Sequence, residues 1–306
     1  MEQQKRLVDV DWDSFKSLEL GQKAAYLNVR ERPYHVLFAQ QFHRGMLDEL
    51  GQLATCIRRI AKSKTGMHFL QGLLNHKRAM LYFTQPSSRT FLSFYAACQI
   101  IGLGPAEVRD ATTSSEMKGE SPEDTLRTFS SYFDILIMRT PLPGFAERIA
   151  WLLSNTERPV PIINAGSGKD QHPTQALLDV YTLQRSFERM GGIDDKTVVF
   201  VGDLARGRTV RSLAYLLANY RNVRQIFVAP DGLQISGDVL SHLDAMGVDY
   251  ALLSGFDDVI ADAYAIYMTR LQDEWDKGTG QTSQFDAAKY GLTEEHLPRM
   301  KHSAVI

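Results

Sequence analysis

Between residues 37 and 61 the apolar side chains Phe38, Phe42, Met46, Leu50, Leu53, Ile57 and Ile60 recur every three or four positions, which predicts a helix. Lys62 and Lys64 fall in its last turn, and Gly66 reads as its stop. Beyond it, short apolar runs alternate with amphipathic stretches. Runs at 80–83, 106–109, 135–138, 160–163, 197–201, 226–229, 250–253 and 264–268 predict strands. Stretches at 91–101, 122–133, 145–153, 176–190, 209–219 and 239–246 predict helices. The second of these carries its own start signal: Ser121 as cap, Pro122 at the first helical position, then Glu123 and Asp124. Ser303-Ala304-Val305-Ile306 reads as the opening of one more strand.

Strands alternating with helices predict an α/β chain of two domains, each a parallel sheet flanked by helices, with the active site in the cleft between them. Gly191-Gly192 is the natural boundary, giving domains at 37–190 and 191–306. Residues 1–36 are polar and mixed, with Trp12, Phe15 and Leu18 as scattered anchors, and read as an N-terminal extension. Residues 276–284, rich in Gly, Thr, Ser and Gln, read as a mobile loop.

Composition narrows the function classes. With 306 residues each domain can bury its own core. A formal net charge of -2 gives no reason to expect a nucleic-acid or membrane partner. Cys56 and Cys98, the two cysteines, lie in apolar helical runs and read as thiols of a reducing compartment. No Cys/His spacing suggests a metal. The polar start Met1-Glu2-Gln3-Gln4-Lys5-Arg6 and the lack of a long apolar run give a cytoplasmic reading.

The chemistry gathers where strands end. Ser87-Ser88-Arg89-Thr90 lies between the run ending at Phe83 and the helix beginning near Phe91. A helix start offers unpaired backbone N–H groups and partial positive charge, the hydroxyls add donors, and Arg89 adds a planar fork suited to phosphate. A Ser/Thr helix cap beside a solvated arginine fits the same letters. Arg139 follows Met138. His172 and Gln175 follow Ile163 across a glycine-rich loop, Arg208 follows Val201, and Arg270 and Gln272 follow Met268. In parallel sheets ligands bind outside the carboxyl ends of strands, so these residues together describe a site for a small polyanion. Known phosphate fingerprints do not fit. Gly168-Lys169-Asp170 has Ile163 where a P-loop needs its first glycine, and no Gly-x-Gly-x-x-Gly follows a strand.

Ser87-Ser88-Arg89-Thr90, Met138-Arg139-Thr140-Pro141 and His172-Pro173-Thr174-Gln175-Ala176-Leu177-Leu178-Asp179 resemble the aspartate/ornithine carbamoyltransferase family. Val201-Gly202-Asp203-Leu204, Gly207-Arg208-Thr209-Val210 and Tyr267-Met268-Thr269-Arg270-Leu271-Gln272 are similar to its aspartate branch. The resemblance implies carbamoyl transfer from carbamoyl phosphate to L-aspartate, in pyrimidine biosynthesis, with no cofactor and no metal. It implies that residues 37–190 bind carbamoyl phosphate and 191–306 bind aspartate. Ser87, Ser88, Arg89 and Thr90 would hold the phosphate. Arg139, His172 and Thr90 would contact the carbonyl oxygen and Gln175 the amino group, while Arg208, Arg270 and Gln272 would hold the carboxylates of aspartate. Ser114 and Lys118, in the loop 112–119, would reach a neighbour's site in a homotrimer, to which regulatory or other pathway subunits could bind. Lys118 would serve catalysis and both substrates.

Some letters depart from the family. Its members follow the segment matching Ser303–Ile306 with a His-Pro-Leu-Pro-Arg turn and further helices, so the aspartate-binding domain reads as truncated at its C-terminal end. They carry charged pairs where Gln85 and Trp275, and Phe91 and Tyr95, stand here; the first exchange would replace an ionic latch by an uncharged contact. The segment 278–297 reads as an insertion. Two other functions stay open: a different amino-acid acceptor such as ornithine, which the cationic Arg208 and Arg270 disfavour, and a non-catalytic homologue that binds ligand or scaffolds an assembly.

Overall fold

A computed structural model describes residues 6–109, 119–168, 171–257, 259–269 and 290–306. Backbone contacts divide the chain into two compact units, Met1–Thr174 and Gln175–Ile306. The sequence reading sets its boundary at Gly191-Gly192; these glycines, at φ 80° and 88°, close a single 3-10 turn after a helix that begins before the division.

In the first unit, helices α1 (Trp12–Ser17) and α2 (Leu20–Leu27) lead through a two-residue hairpin, β1 (Asn28–Val29) and β2 (Arg32–Pro33), to α3 (Arg44–Ile60) and α4 (Lys64–Gln71). Then follow β3 (Arg78–Phe83), α5 (Ser88–Ile101), β4 (Gly104–Val108), α6 (Pro122–Ser130), β5 (Ile135–Arg139), α7 (Phe145–Ser154) and β6 (Ile162–Asn164). The four longer strands form a parallel sheet in the order β4-β3-β5-β6. Side chains alternate across it as a pleated strand requires. Ala79, Leu81, Phe83 and Ile137 pack with Phe91 and Cys98 of α5. Met80, Tyr82, Leu136 and Met138 pack on the opposite face with Leu126, Ile149 and Leu153 of α6 and α7.

The residues read as an N-terminal extension belong to this second core. Leu7, Phe15 and Leu27 are buried in it, and Trp12 packs against it. Trp151 Nε1 donates to the Val10 carbonyl (2.8 Å), and Arg148 stacks over both Trp12 and Trp151. Lys23 pairs with Glu147 of α7 at 2.8 Å, with both side chains mostly buried. These helices are six and eight residues long, too short to hold in isolation. Tertiary burial, which periodicity does not show, makes them. Gly66 also reads differently in place. Ser63 caps α4 by accepting from the Gly66 N–H (3.0 Å), and a Cβ on Gly66 would lie 1.9 Å from the Ile60 carbonyl oxygen. The glycine lets α4 start tight against the end of α3 rather than stopping a helix.

In the second unit, α8 (Pro173–Ser186) leads to β7 (Thr197–Val201), α9 (Arg208–Leu217), β8 (Arg224–Val228), α10 (Gly237–Ala245), β9 (Tyr250–Leu253) and β10 (Ala265–Met268). They form a parallel sheet in the order β10-β7-β8-β9. Val199, Val201, Ile226, Val228 and Ile266 share one face with Phe256, Val259, Ile260 and Tyr290, while Phe200 and Phe227 stack on the other (5.1 Å). Val305 pairs beside β10: its N–H donates to Tyr264 and its carbonyl accepts from Ile266. The opening strand read at the chain's last residues is thus engaged. The mobile loop read at 276–284 and the first part of the insertion read at 278–297 lie outside the described residues.

Truncating the fully buried Phe15 to alanine should lower the free energy of unfolding by about 3–5 kcal/mol, read by urea denaturation. A separate extension would show a change near zero.

Candidate active site

In the first sheet, β3 is followed by a helix to one side (β4), whereas β5 is followed by a helix to the other (β6). The winding reverses between β3 and β5, and this switch point leaves a crevice at the strands' carboxyl ends. The turn from Thr84 to Ser87 and the side chain of Arg139 stand there. The Gln85 N–H donates to the Arg139 carbonyl (3.2 Å), tying the two strand ends together. The first backbone bond of α5 runs from Phe91 N–H to the Ser87 carbonyl, so the N–H groups of Ser88, Arg89 and Thr90 lie ahead of the helical ladder. Ser87 makes no capping bond, so the plain helix-cap reading of this stretch does not describe it. Arg89 is exposed, and among the described residues it has no hydrogen bond or ion pair. The Oε1 of Gln85 is buried without a partner among them.

Arg139 and His172 meet over Gly166. A Cβ built on that glycine would lie 2.6 Å from His172 Cδ2 and 2.9 Å from Arg139 Nη1, and its φ of +92° excludes most side chains. Arg139 is 7% exposed and donates from Nη1 to the Ala165 carbonyl (3.2 Å); His172 is 5% exposed, with Nδ1 against Thr174 Oγ1 (3.3 Å). Two buried side-chain donors thus converge on one loop.

A buried polar network behind them sets the loop's path. Asn164 accepts from Gly166 N–H through Oδ1 (2.9 Å) and donates from Nδ2 to the carbonyls of Leu37 and Gln171. Gln171, next to His172, accepts from Ala39 N–H (2.8 Å) and donates to Gln40. Gln41 accepts from the N–H groups of Leu37 and Phe38 and donates to the His35 carbonyl. His35 Nδ1 accepts from Ile162 N–H (3.1 Å), which puts its proton on Nε2, facing Ser154 Oγ (2.9 Å). Sequence reading missed these supports; only the glycine-rich loop hinted at Gly166.

The second sheet reverses between β7 and β10. Arg208 opens α9 after β7. A Cβ on Gly202 (φ +115°) would lie 2.5 Å from Thr269 Oγ1, and Thr269 donates from N and Oγ1 to the Val201 carbonyl. The strand that leads into Arg270 is therefore fixed as far as Thr269. Gln175, in the first turn of α8, donates from Nε2 to Asp179 (2.8 Å). Arg270, Gln272 and Trp275, with Ser114, Lys118 and the rest of the loop read at 112–119 up to Lys118, lie outside the described residues. The uncharged pair Phe91 and Tyr95 packs ring to ring (5.9 Å), with the Arg109 guanidinium over Phe91 (4.5 Å). Among the described residues no three His, Cys, Asp or Glu side chains stand together as metal ligands would.

Residues 34–185 match the family model described as aspartate/ornithine carbamoyltransferase, carbamoyl-P binding domain. A relative from Pisum sativum, named aspartate carbamoyltransferase 1, chloroplastic, is 38% identical over 272 residues, covering 89% of this chain and 67% of its own. The chain belongs to the aspartate/ornithine carbamoyltransferase family. The aspartate carbamoyltransferase catalytic subunit of Vibrio cholerae is 42% identical over 233 residues, 74% of this chain and 70% of its own. Among solved structures, aspartate transcarbamoylase from Trypanosoma cruzi in complex with carbamoyl aspartate and phosphate superposes with a TM-score of 0.78. It is 34% identical over 89% of this chain and 83% of its own. The catalytic subunit from M. jannaschii gives a TM-score of 0.74 at 32% identity, over 89% and 84%. The carbamoyltransferase spans about two-thirds of the length of its pea relatives, 67% and 66% for two of them.

Burial pulls the His35 pKa down to about 3 from an ordinary 6.5. The unfolded chain then binds a proton that the folded one refuses, so stability is full above the ordinary value and falls as pH drops below it. Between pH 7 and pH 5 His35 should cost about 2 kcal/mol of unfolding free energy. Denaturant titrations at both values, repeated on His35→Asn, check this; the variant should lose that part of the slope.

Proposed function

We propose that this carbamoyltransferase moves the carbamoyl group of carbamoyl phosphate to the amino group of L-aspartate, giving N-carbamoyl-L-aspartate and phosphate, as a step of pyrimidine biosynthesis. One observation carries the reading. In each unit the residues expected to bind anions stand at the point where the sheet reverses: Ser87 to Thr90 and Arg139 in the first, Arg208 and the chain entering Arg270 in the second. The first unit takes the phosphate donor and the second the dicarboxylate.

In this reading the phosphate lies at the start of α5, held by Ser87, Ser88, Arg89, Thr90 and the first-turn N–H groups. The carbonyl oxygen accepts from Arg139, His172 and Thr90, and Gln175 takes the amino group. Arg208, Arg270 and Gln272 hold the two carboxylates of aspartate. Its amine attacks the carbamoyl carbon, and the tetrahedral oxyanion is stabilised by donors already in place. The bond to the phosphate oxygen breaks, and the departing phosphate accepts the amine proton, so no separate base is needed. Catalysis is the positioning of two anions together with charge stabilisation. We further propose a homotrimer in which Ser114 and Lys118 complete a neighbour's site. Two free cysteines support a reducing compartment, for which we propose the cytoplasm, although the pea relatives are named chloroplastic.

Turnover of carbamoyl phosphate with aspartate, and none with ornithine, is the test. Loss of a single oxyanion donor, in Arg139→Ala or His172→Ala, should lower kcat by about 100- to 1000-fold. Arg208→Ala should act mainly on the KM for aspartate. Turnover with ornithine alone, or none from a folded protein, would contradict the assignment. In Gly166→Ala the added methyl pushes Arg139 and His172 apart, and kcat should fall by about a hundredfold, while the positive φ and the clash also lower the melting temperature of the folded variant.

A further inference from the structure

A glutamine amide presents two different faces, a donor nitrogen and an acceptor oxygen, and only its surroundings decide which is offered to a ligand. Gln175 is expected to meet an amino group, which has hydrogens to donate, so the acceptor must face it. Its Nε2 is turned instead to Asp179, four residues on along α8, and donates to Oδ1 at 2.8 Å. An ionised carboxylate can only accept, so it holds the nitrogen end of the amide and turns Oε1 away from itself.

Such a pair on a helix could be a local stabilising contact. A second donor, from a different element, argues for more. The Tyr267 hydroxyl, on β10, donates to the other carboxylate oxygen, Oδ2, at 3.0 Å. Asp179 is therefore gripped from both sides, and its carboxylate has no freedom to turn and release the amide. Burial pushes the Asp179 carboxyl up, and the bonds from Gln175 and Tyr267 pull it only part of the way back. Burial likewise raises Tyr267, so its phenol stays protonated and remains a donor.

We propose that Asp179 is a positioning residue that fixes the orientation of the Gln175 amide, so that the site offers an acceptor to the substrate and selects a carbamoyl group over an acyl group without N–H. The inference rests on the proposed function and deepens it: it names the residue that makes the site discriminate between two phosphate anhydrides of nearly the same shape. Replacing Asp179 by asparagine keeps the size but supplies both a donor and an acceptor, which lets Gln175 sit either way round.

The experiment is a calorimetric titration of the full chain with carbamoyl phosphate, acetyl phosphate and inorganic phosphate. The unsubstituted protein should bind carbamoyl phosphate more tightly than acetyl phosphate. In Asp179→Asn that preference should shrink by about tenfold, the worth of one well-made hydrogen bond, with the affinity for inorganic phosphate unchanged. Gln175→Ala should lose the same preference, and adding Asp179→Asn to it should change nothing further. A preference kept in Asp179→Asn, or an equal loss on adding it to Gln175→Ala, overturns the inference and leaves the proposed function standing. An unsubstituted protein indifferent between the two anhydrides overturns both. If Asp179→Asn does not fold, hydrogen exchange of the Gln175 side-chain amide in the unsubstituted protein decides. Protection supports the lock, and exchange as fast as that of an exposed glutamine overturns it.

Discussion

A parallel strand can be joined to the next only by a crossover, and crossovers in such sheets are nearly always right-handed. A sheet that grows in both directions from an early strand must therefore reverse its winding once. Helices then leave on opposite faces, and the carboxyl ends of two neighbouring strands stand uncovered. Both sheets of this carbamoyltransferase do this, between β3 and β5 and between β7 and β10. The placement of Ser87 to Thr90, Arg139 and Arg208 follows from that topological constraint. Gly202, with no Cβ against Thr269, lets β7 and β10 end in close contact.

The proposed anion site also needs donors that do not move, and buried polar groups that satisfy one another supply that rigidity. Asn164, Gln171, Gln41 and His35 pass hydrogen bonds from β6 to the segment 35–41 and back to the loop bearing His172. Removing one member would strand the others in an apolar setting at a cost of about 1–3 kcal/mol each. The same logic reaches the N-terminal residues. Lys23 with Glu147, and Arg148 with two tryptophans, fasten them to α7, the helix after the Arg139 strand.

The sheets were legible in the sequence because buried parallel strands are nearly all apolar: 135–138 and 197–201 could hardly be read otherwise, and both are strands. The site was legible as a set of strand ends, and the family letters at Ser87 to Thr90, Arg139 and His172 to Asp179 sharpened it. What stayed hidden depends on tertiary contact. α1 and α2 have no long period to read, and their anchors Trp12 and Phe15 gain meaning only against Trp151 and Tyr26. Gly66 looked like a stop because a helix end and a tight helix start use the same residue. Gln41 and Gln171 gave no signal, since nothing in their neighbours tells a solvated glutamine from one that holds a loop.

The most direct test of the proposal that both sets of anion-binding residues hold one ligand is calorimetric titration with N-phosphonacetyl-L-aspartate, which carries a phosphonate and two carboxylates in one molecule. The account predicts saturable binding of one molecule per chain, tighter than inorganic phosphate or aspartate alone, and lost in Arg139→Ala and in Arg208→Ala alike. A folded protein that binds phosphate but gains nothing from the linked aspartate would contradict it.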